Sequence, residues 1–377
     1  MKAAHVGRLI SILAVPLAAM TLAAPAGASA QRATASAQQA AASAHSARPA
    51  TGSAAAAYLW TSSTSGGPVN ALYAFNSAGG PGTVTRTATG QYNVIFPRLG
   101  SIATRSVVQV TPYSAAVTCT VASWGSQSVN LIATVFCYSL SGHAPADAEF
   151  DVLVSHPLSP PHGAFDYAYV YKNSGQLTST YQYDSAHRNI TVANPHTGQY
   201  VVTFGGPRSS GVQGTVKVSP YGLTAGDCQP VGWHGSATGE IVDVDCRNAG
   251  GAFANRQFTV TYAAANNLMG LNGKTTANAL EGSGAALIAP SVQYDSARGA
   301  RVTIIHTDTG RYEVALVGSR GNRSNGGDVQ VSAVGDTGRH CISNGWSAGL
   351  TPIAYVQCYD SSGHLADAHF AVDWVVA

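Results

Sequence analysis

Charged side chains are scarce in this sequence: only 10% of its 377 residues are Asp, Glu, Lys or Arg. The signs nearly cancel, with 20 basic against 18 acidic residues. Nucleic acid and anionic membrane are bound chiefly through excess positive charge, so neither is expected as a partner. The sequence also has no Gly-x-Ser-x-Gly elbow, no His-Glu-x-x-His pair and no Walker loop, the short motifs of common hydrolase, zinc-protease and nucleotide chemistry. Cysteine is limited to six residues, and none forms the close Cys-x2-Cys pair typical of structural zinc. No metal or other cofactor is expected. The one long apolar run, LISILAVPLAAMTLAA, is short of the about 20 residues a membrane-spanning helix needs.

That run follows Lys2 and Arg8 and precedes Ala28-Ser29-Ala30, the order of charged, apolar and small segments found in a secretory signal peptide. Residues 1–30 are therefore expected to be a leader cleaved after Ala30, and the protein to be secreted and extracellular, with no membrane insertion once the leader is gone. The leader carries two basic and no acidic residues, which leaves 18 basic against 18 acidic in the rest. Residues 31–57, QRATASAQQAAASAHSARPATGSAAAA, have no apolar face to bury and are expected to form an Ala-rich disordered linker.

What is abundant is glycine, at 41 residues, set among segments rich in Val, Thr, Tyr and Ser. That is the bias of an all-β protein whose short strands are joined by glycine turns. Aligned to itself, the chain repeats three times. Gly-x-Tyr-x-Val occurs at Gly90–Val94, Gly198–Val202 and Gly310–Val314. Before each stands FNS (Phe75) or YDS (Tyr183, Tyr294), and after each an alternating strand, VVQVTPY, TVKVSPY or DVQVSAV. A Cys, Trp, Cys segment follows as Cys119, Trp124, Cys137, then Cys228, Trp233, Cys246, then Cys341, Trp346, Cys358. Each copy closes on a strand with Phe150, Phe258 or Phe370. The expected β modules run over 58–154, 165–262 and 277–376, with linkers SHPLSPPHGA and AAANNLMGLNGKTT between them.

The first copy contains seven runs of strand character, VNALYAF, TVTRTA, QYNVIF, VVQVTPY, VTCTVAS, VNLIATVFC and AEFDVLV. Seven short strands in about 100 residues is the size of an antiparallel sandwich, and a single sheet could not bury one face without a partner layer. Six cysteines permit fifteen pairings. If each copy folds by itself, only Cys119–Cys137, Cys228–Cys246 and Cys341–Cys358 survive, each as a hairpin disulfide in an oxidising compartment. An immunoglobulin domain matches in size but not here, because its bridged cysteines lie on opposite sheets. The Gly-x-Tyr-x-Val strand, the Cys-x4-Trp turn and the closing Phe strand resemble the repeated one-disulfide β modules of uncharacterised secreted proteins from high-GC Gram-positive bacteria. That resemblance covers residues 58–376 and implies a location and a fold, with no activity.

Four features could carry function. SGHAPAD (His143, Asp147) is echoed as SGHLAD (His364, Asp367), a base and orienter in principle. The second copy has Phe253 and Asn255 there and no nucleophile keeps step, so a turn whose Asp or Asn bonds local backbone is expected. Glu240, Asp243 and Asp245 could offer carboxylates to calcium, but calcium takes six to eight oxygens, and a solvated face is expected. Trp124, Trp233 and Trp346 are expected to cover the disulfides, and Tyr92, Tyr200 and Tyr312 to point into the core. The aromatics that vary between copies, Trp60, Tyr58, Tyr167, Tyr169 and Tyr171, are the better binding candidates. The basic region GSRGNRSNGGD, Gly318 to Asp328, would suit an inhibitor of secreted proteases. No catalytic, cofactor-binding or metal residue is assigned. The expected function is a secreted, non-enzymatic binding or structural protein whose three copies give avidity for an extracellular ligand: a polysaccharide, another cell-envelope component or a protein. An extracellular hydrolase with an unrecognised site is the alternative beside the inhibitor.

Overall fold

A computed structural model describes residues 54–157, 166–172, 177–185, 188–205, 214–237, 239–270, 275–280, 287–288, 292–296, 301–316, 326–347 and 351–377. Residues 1–30, the expected leader, nearly all of the Ala-rich segment and most of Gly318–Asp328 lie outside them. The protein is all-β. Its first stretch holds β1 (Ala55–Trp60), β2 (Gly66–Pro68), β3 (Ala74–Asn76), β4 (Thr83–Ala88), β5 (Gln91–Phe96), β6 (Val107–Tyr113), β7 (Val117–Gln127), β8 (Asn130–Ser139) and β9 (Glu149–His156). The second holds β10 (Asp166–Lys172), β11 (Leu177–Asp184), β12 (Ile190–His196), β13 (Gln199–Phe204), β14 (Thr215–Tyr221), β15 (Gly226–Ser236), β16 (Gly239–Asn248) and β17 (Gln257–Ala264). The third holds β18 (Thr275–Leu280), β19 (Leu287–Ile288), β20 (Val292–Asp295), β21 (Val302–Asp308), β22 (Arg311–Leu316), β23 (Asp328–Val334), β24 (His340–Ser347), β25 (Ile353–Tyr359) and β26 (His369–Val376).

The alternation in the Gly-x-Tyr-x-Val strands places Tyr92, Val94 and Phe96 on one buried face of β5, and Tyr200, Val202 and Phe204 on that of β13. Opposite them stand the closing phenylalanines, packed edge-on or tilted at 5.1 Å for Tyr92–Phe150, 5.0 Å for Tyr200–Phe258 and 4.9 Å for Tyr312–Phe370. Three separate clusters of buried apolar side chains result, one drawn almost wholly from each stretch.

The cysteines pair within each stretch, as Cys119–Cys137, Cys228–Cys246 and Cys341–Cys358. Each bond joins directly opposed residues of neighbouring strands, β7 with β8, β15 with β16 and β24 with β25. The bond lies within a sheet, where an immunoglobulin bridge runs between sheets.

The start of the first stretch differs from the sequence reading. AAAYLW, not VNALYAF, is the strand that pairs with β9, and Ala55–Ala57 belong to it and not to the linker. Alanine has little β propensity, but Ala56 and Ala57 are fully buried between β3 and β9. Within VNALYAF, residues Ala71–Tyr73 form a 3-10 turn, whose entry Asn70 caps by accepting from the Leu72 amide.

The stretches also close on one another. Ser114 donates its amide to the Ser343 carbonyl at 2.9 Å, Gly222 to Val121 at 3.0 Å, and Gly335 to Pro230 at 2.9 Å. The first stretch is thus bonded to the third, the second to the first and the third to the second. Deeper in, a second cycle runs the other way: Val110 N–H to Ser219 Oγ at 3.0 Å, Val218 N–H to Ser332 Oγ at 3.5 Å, and Val331 N–H to Thr111 Oγ1 at 3.2 Å. Six strands, β6, β24, β23, β15, β14 and β7, therefore ring a common axis. Each would otherwise offer an unpaired edge to other chains. The described part of AAANNLMGLNGKTT is packed into the fold. Its Leu268 and Met269 are buried in one cluster with Tyr58, Val107, Leu153 and Val375.

Candidate functional site

The His–Asp pairs suggested by the sequence do not form. His143 is exposed with a left-handed backbone (φ 54°), and Asp147 turns away to Arg86, which holds it through Nε and Nη2 at 2.8 Å each. Asp147 also accepts from the Gly90 amide at 2.8 Å and the Tyr92 hydroxyl at 3.3 Å. Asp367 repeats this with the Gly310 amide, the Tyr312 hydroxyl and, at 2.8 Å, His306 in place of the arginine. Asn255 does the same through Oδ1, from the Gly198 amide at 2.8 Å and the Tyr200 hydroxyl at 3.4 Å. His364 is bonded through its amide to Asp360, four residues before it. The side chain at each of these three positions is thus an anchor for a glycine turn 57 residues away, where the sequence suggested a bond to local backbone. Hydrogen bonding to Arg86 holds the Asp147 carboxyl below its ordinary range. Asp367 is lowered too: burial opposes this, but the bonds from Gly310 and His306 outweigh it. A group held low contributes stability above the usual carboxylate range and loses it as pH falls, so both anchors slacken in acid.

This role separates the two residues of SGHAPAD. Asp147→Ala is expected to lower stability by about 1 kcal/mol, the value of one or two partly exposed hydrogen bonds, while His143→Ala leaves it unchanged. Thermal unfolding of the two variants side by side checks this, and equal losses would revive the pair as a unit.

The acidic strand is not a solvated face. Glu240 and Asp245 are buried, and only Asp243 is half-exposed. Burial pushes the Asp245 carboxyl up, partly offset by Arg247 with its guanidinium 3.7 Å away. Arg247 in turn lies 3.9 Å over the Phe253 ring and reaches the Asp336 carbonyl across a seam. Among the described residues, no three His, Cys, Asp or Glu side chains gather as a metal ligand set.

The repeated tryptophans each tie down the chain that leads into an axial strand, and Trp124 and Trp346 also line seams. Their indole N–H groups donate to Ala103, Gly214 and Gly326 carbonyls at 3.0, 2.9 and 2.8 Å, each in the approach to β6, β14 or β23. For Trp124 and Trp346 the ring faces the neighbouring stretch, while Trp233 packs on the apolar cluster of its own stretch. Trp124 meets Tyr181 and Tyr221 edge-on at 5.4 and 5.5 Å. Trp346 meets Tyr73 at 5.3 Å, Tyr113 at 5.9 Å and Trp60 at 6.1 Å, and Trp60 also packs on Tyr73 and Tyr113. The two seams differ in exposure: Trp124 and Tyr221 are each 7% exposed, whereas Trp60, Tyr73, Tyr113 and Trp346 are all half-buried. Burial pushes the Tyr113 hydroxyl up to about 12, helped by the charges of Asp151 and Glu149, so it remains a phenol and a donor. At the third seam Val334 stands at the position of Tyr113 and Tyr221.

Of the sequence-derived binding candidates, Trp60 sits in this half-buried cluster and Tyr58 is wholly buried. The side chains of Tyr167, Tyr169 and Tyr171 lie outside the described residues. Tyr73 and Tyr113 were missed because register alone does not tell a core tyrosine from a seam tyrosine. Of the basic Gly318–Asp328 region, the described end is built into the fold: the Gly326 amide donates to the Leu72 carbonyl at 2.5 Å, and Asp328 is buried. Among the described residues no helix is long and apolar enough to cross a membrane. No protein-family model, no curated protein and no solved structure matches the chain.

Proposed function

We propose that the protein is a secreted, non-enzymatic binding protein built from three tandem one-disulfide β-sandwich modules, and that it takes polysaccharide or another cell-envelope glycan at the seam between the first and third modules. The half-buried cluster of Trp60, Tyr73, Tyr113 and Trp346 carries this reading. Aromatic rings with a polar edge are the usual anchors for sugar rings, and one seam leaves four of them half-covered while its counterpart buries its tryptophan. The three disulfides suit an oxidising, extracellular setting. The Asp side chains of the two motifs that might have formed a catalytic pair, Asp147 and Asp367, are instead engaged in holding glycine turns.

Closure changes the expected mode of binding. Modules swinging on linkers would gain avidity from three equivalent sites. A closed ring with chemically different seams offers one site, and affinity then rests on that seam alone. Incubation of the leader-free protein with insoluble cell-wall and environmental polysaccharides is expected to retain it, with Trp60→Ala released and Trp124→Phe retained. Absence of wild-type retention on every polysaccharide, or equal retention of Trp60→Ala, would remove the proposal.

A further inference from the structure

The axis around which the six strands close is buried and charged. Asp151 on β9, Lys217 on β14 and Asp328 on β23 come one from each stretch and are 0%, 4% and 0% exposed. Lys217 Nζ donates to the Val331 carbonyl at 2.6 Å, crossing from the second stretch to the third. Asp328 accepts from Gln330 Nε2 at 2.9 Å, and Gln330 Oε1 accepts from Thr111 at 2.8 Å, crossing from the third to the first. Gln109 joins the first stretch to the second through Thr261 Oγ1 at 2.9 Å. Among the described residues, neither carboxyl oxygen of Asp151 has a hydrogen-bond partner. The neighbouring charges are Glu149 on β9, Asp227 on β15, His340 on β24 and the buried Asp373 on β26, while β6 and β17 present the uncharged Gln109, Thr111, Thr259 and Thr261. A cavity of about 40 Å³ lined by Lys217, Asp227, Gln229 and His340 opens one end of the cluster, with His340 Nδ1 3.5 Å from Asp227. It is large enough to admit water, which gives protons a route to Lys217.

We propose that this axial cluster is a proton-responsive clamp that holds the three stretches together more tightly in mild acid than at neutral pH. One buried ammonium faces the buried carboxyls of Asp151 and Asp328, and Asp373 adds another opposite Gln330, so at neutral pH the cluster carries an uncompensated negative charge in a buried site unless a proton enters. Burial pushes Asp328 up to about 7 and raises Asp151 well above the carboxylate range, with Asp328 itself adding to the rise at Asp151. Both carboxyls therefore hold a proton in the folded protein over a range where the unfolded chain has lost it. Their contribution to stability is full below the ordinary carboxylate range and is lost as pH rises toward 7. Burial lowers Lys217 to about 7, so its contribution is present above the ordinary lysine range and is lost as pH falls toward 7. Between about pH 7 and pH 5 the loss at lysine has largely run out while the gain at two carboxyls continues, and the carboxyls win.

The test uses the full leader-free chain with its disulfides intact. Amide hydrogen exchange at Val110, Val218 and Val331, whose N–H groups form the inner cycle, is expected to show at least tenfold more protection at pH 5.5 than at pH 7.5 after correction for intrinsic rates. The double variant Asp151→Asn, Asp328→Asn, which mimics the protonated pair, should lose that difference and be better protected than wild type at pH 7.5. Lys217→Met should enlarge the difference. Wild-type protection equal within twofold at the two pH values overturns the proposal even if neither variant folds, as does an undiminished difference in the double variant.

Discussion

Gly198→Ala is expected to destabilise the protein by about 3 kcal/mol, while Gly125→Ala in the first stretch changes it by less than about 0.5 kcal/mol. Both glycines stand in motifs that recur along the chain, and their surroundings differ completely. Gly198 has a left-handed backbone (φ +73°), and a Cβ there would lie 2.5 Å from the Cys246 carbonyl oxygen and 2.6 Å from the Ala254 amide nitrogen. Those are backbone atoms that cannot swing aside: Cys246 N–H donates to the Gly198 carbonyl at 2.6 Å, and Ala254 N–H to the Cys246 carbonyl at 3.0 Å. The alanine must therefore carry both the conformational strain and a shift of the hairpin that Asn255 anchors. Gly90 and Gly310 meet the same atoms at nearly the same distances, so the effect should recur at all three. Gly125 has no heavy atom within 4 Å of its built Cβ. Urea unfolding of each variant measures the difference, and equal midpoints would mean that the turn relaxes at no cost.

That contrast shows what could be read from the sequence. The Gly-x-Tyr-x-Val pattern announced a buried alternating strand, and β5, β13 and β22 bury their tyrosines. The cysteines paired off by repetition alone. The meaning of the glycine was not legible, because its crowding comes from a residue 48 positions further on, Cys246 opposite Gly198, and only the folded sheet brings them together. The same holds for Asp147, whose partner glycine is 57 residues upstream. Polar residues inside strands VVQVTPY, TVKVSPY and DVQVSAV have the look of a solvated face, since alternation tells inside from outside for one sheet and is silent about a second layer. Gln109, Lys217 and Gln330 are buried because three such faces meet at the axis. The seam rings were hidden for a related reason: Trp346 belongs to one stretch and Tyr73, Tyr113 and Trp60 to another.

Removing one disulfide should be about as costly as the glycine exchange. The double variant Cys228→Ala, Cys246→Ala is expected to lose about 3 kcal/mol, the chain-entropy value for a bond closing 18 residues. Against the ~5–15 kcal/mol of a typical domain that is a large share. Both cysteines are buried, 2% and 0% exposed, in the cluster with Tyr200, Phe204 and Phe258, so their loss also leaves a void. The damage should not stay in one hairpin. On β15, two residues beyond Cys228, the Pro230 carbonyl accepts from the Gly335 amide, a contact that closes the ring between second and third stretches. Hydrogen exchange at Gly335 is therefore expected to rise more than at Ser114, whose amide bonds Ser343 across the seam that involves neither β15 nor β16. If the two amides respond alike, the three stretches open as one unit. If neither responds while the midpoint falls, each stretch unfolds by itself, and the closed axis adds nothing to the stability of the sandwiches it joins.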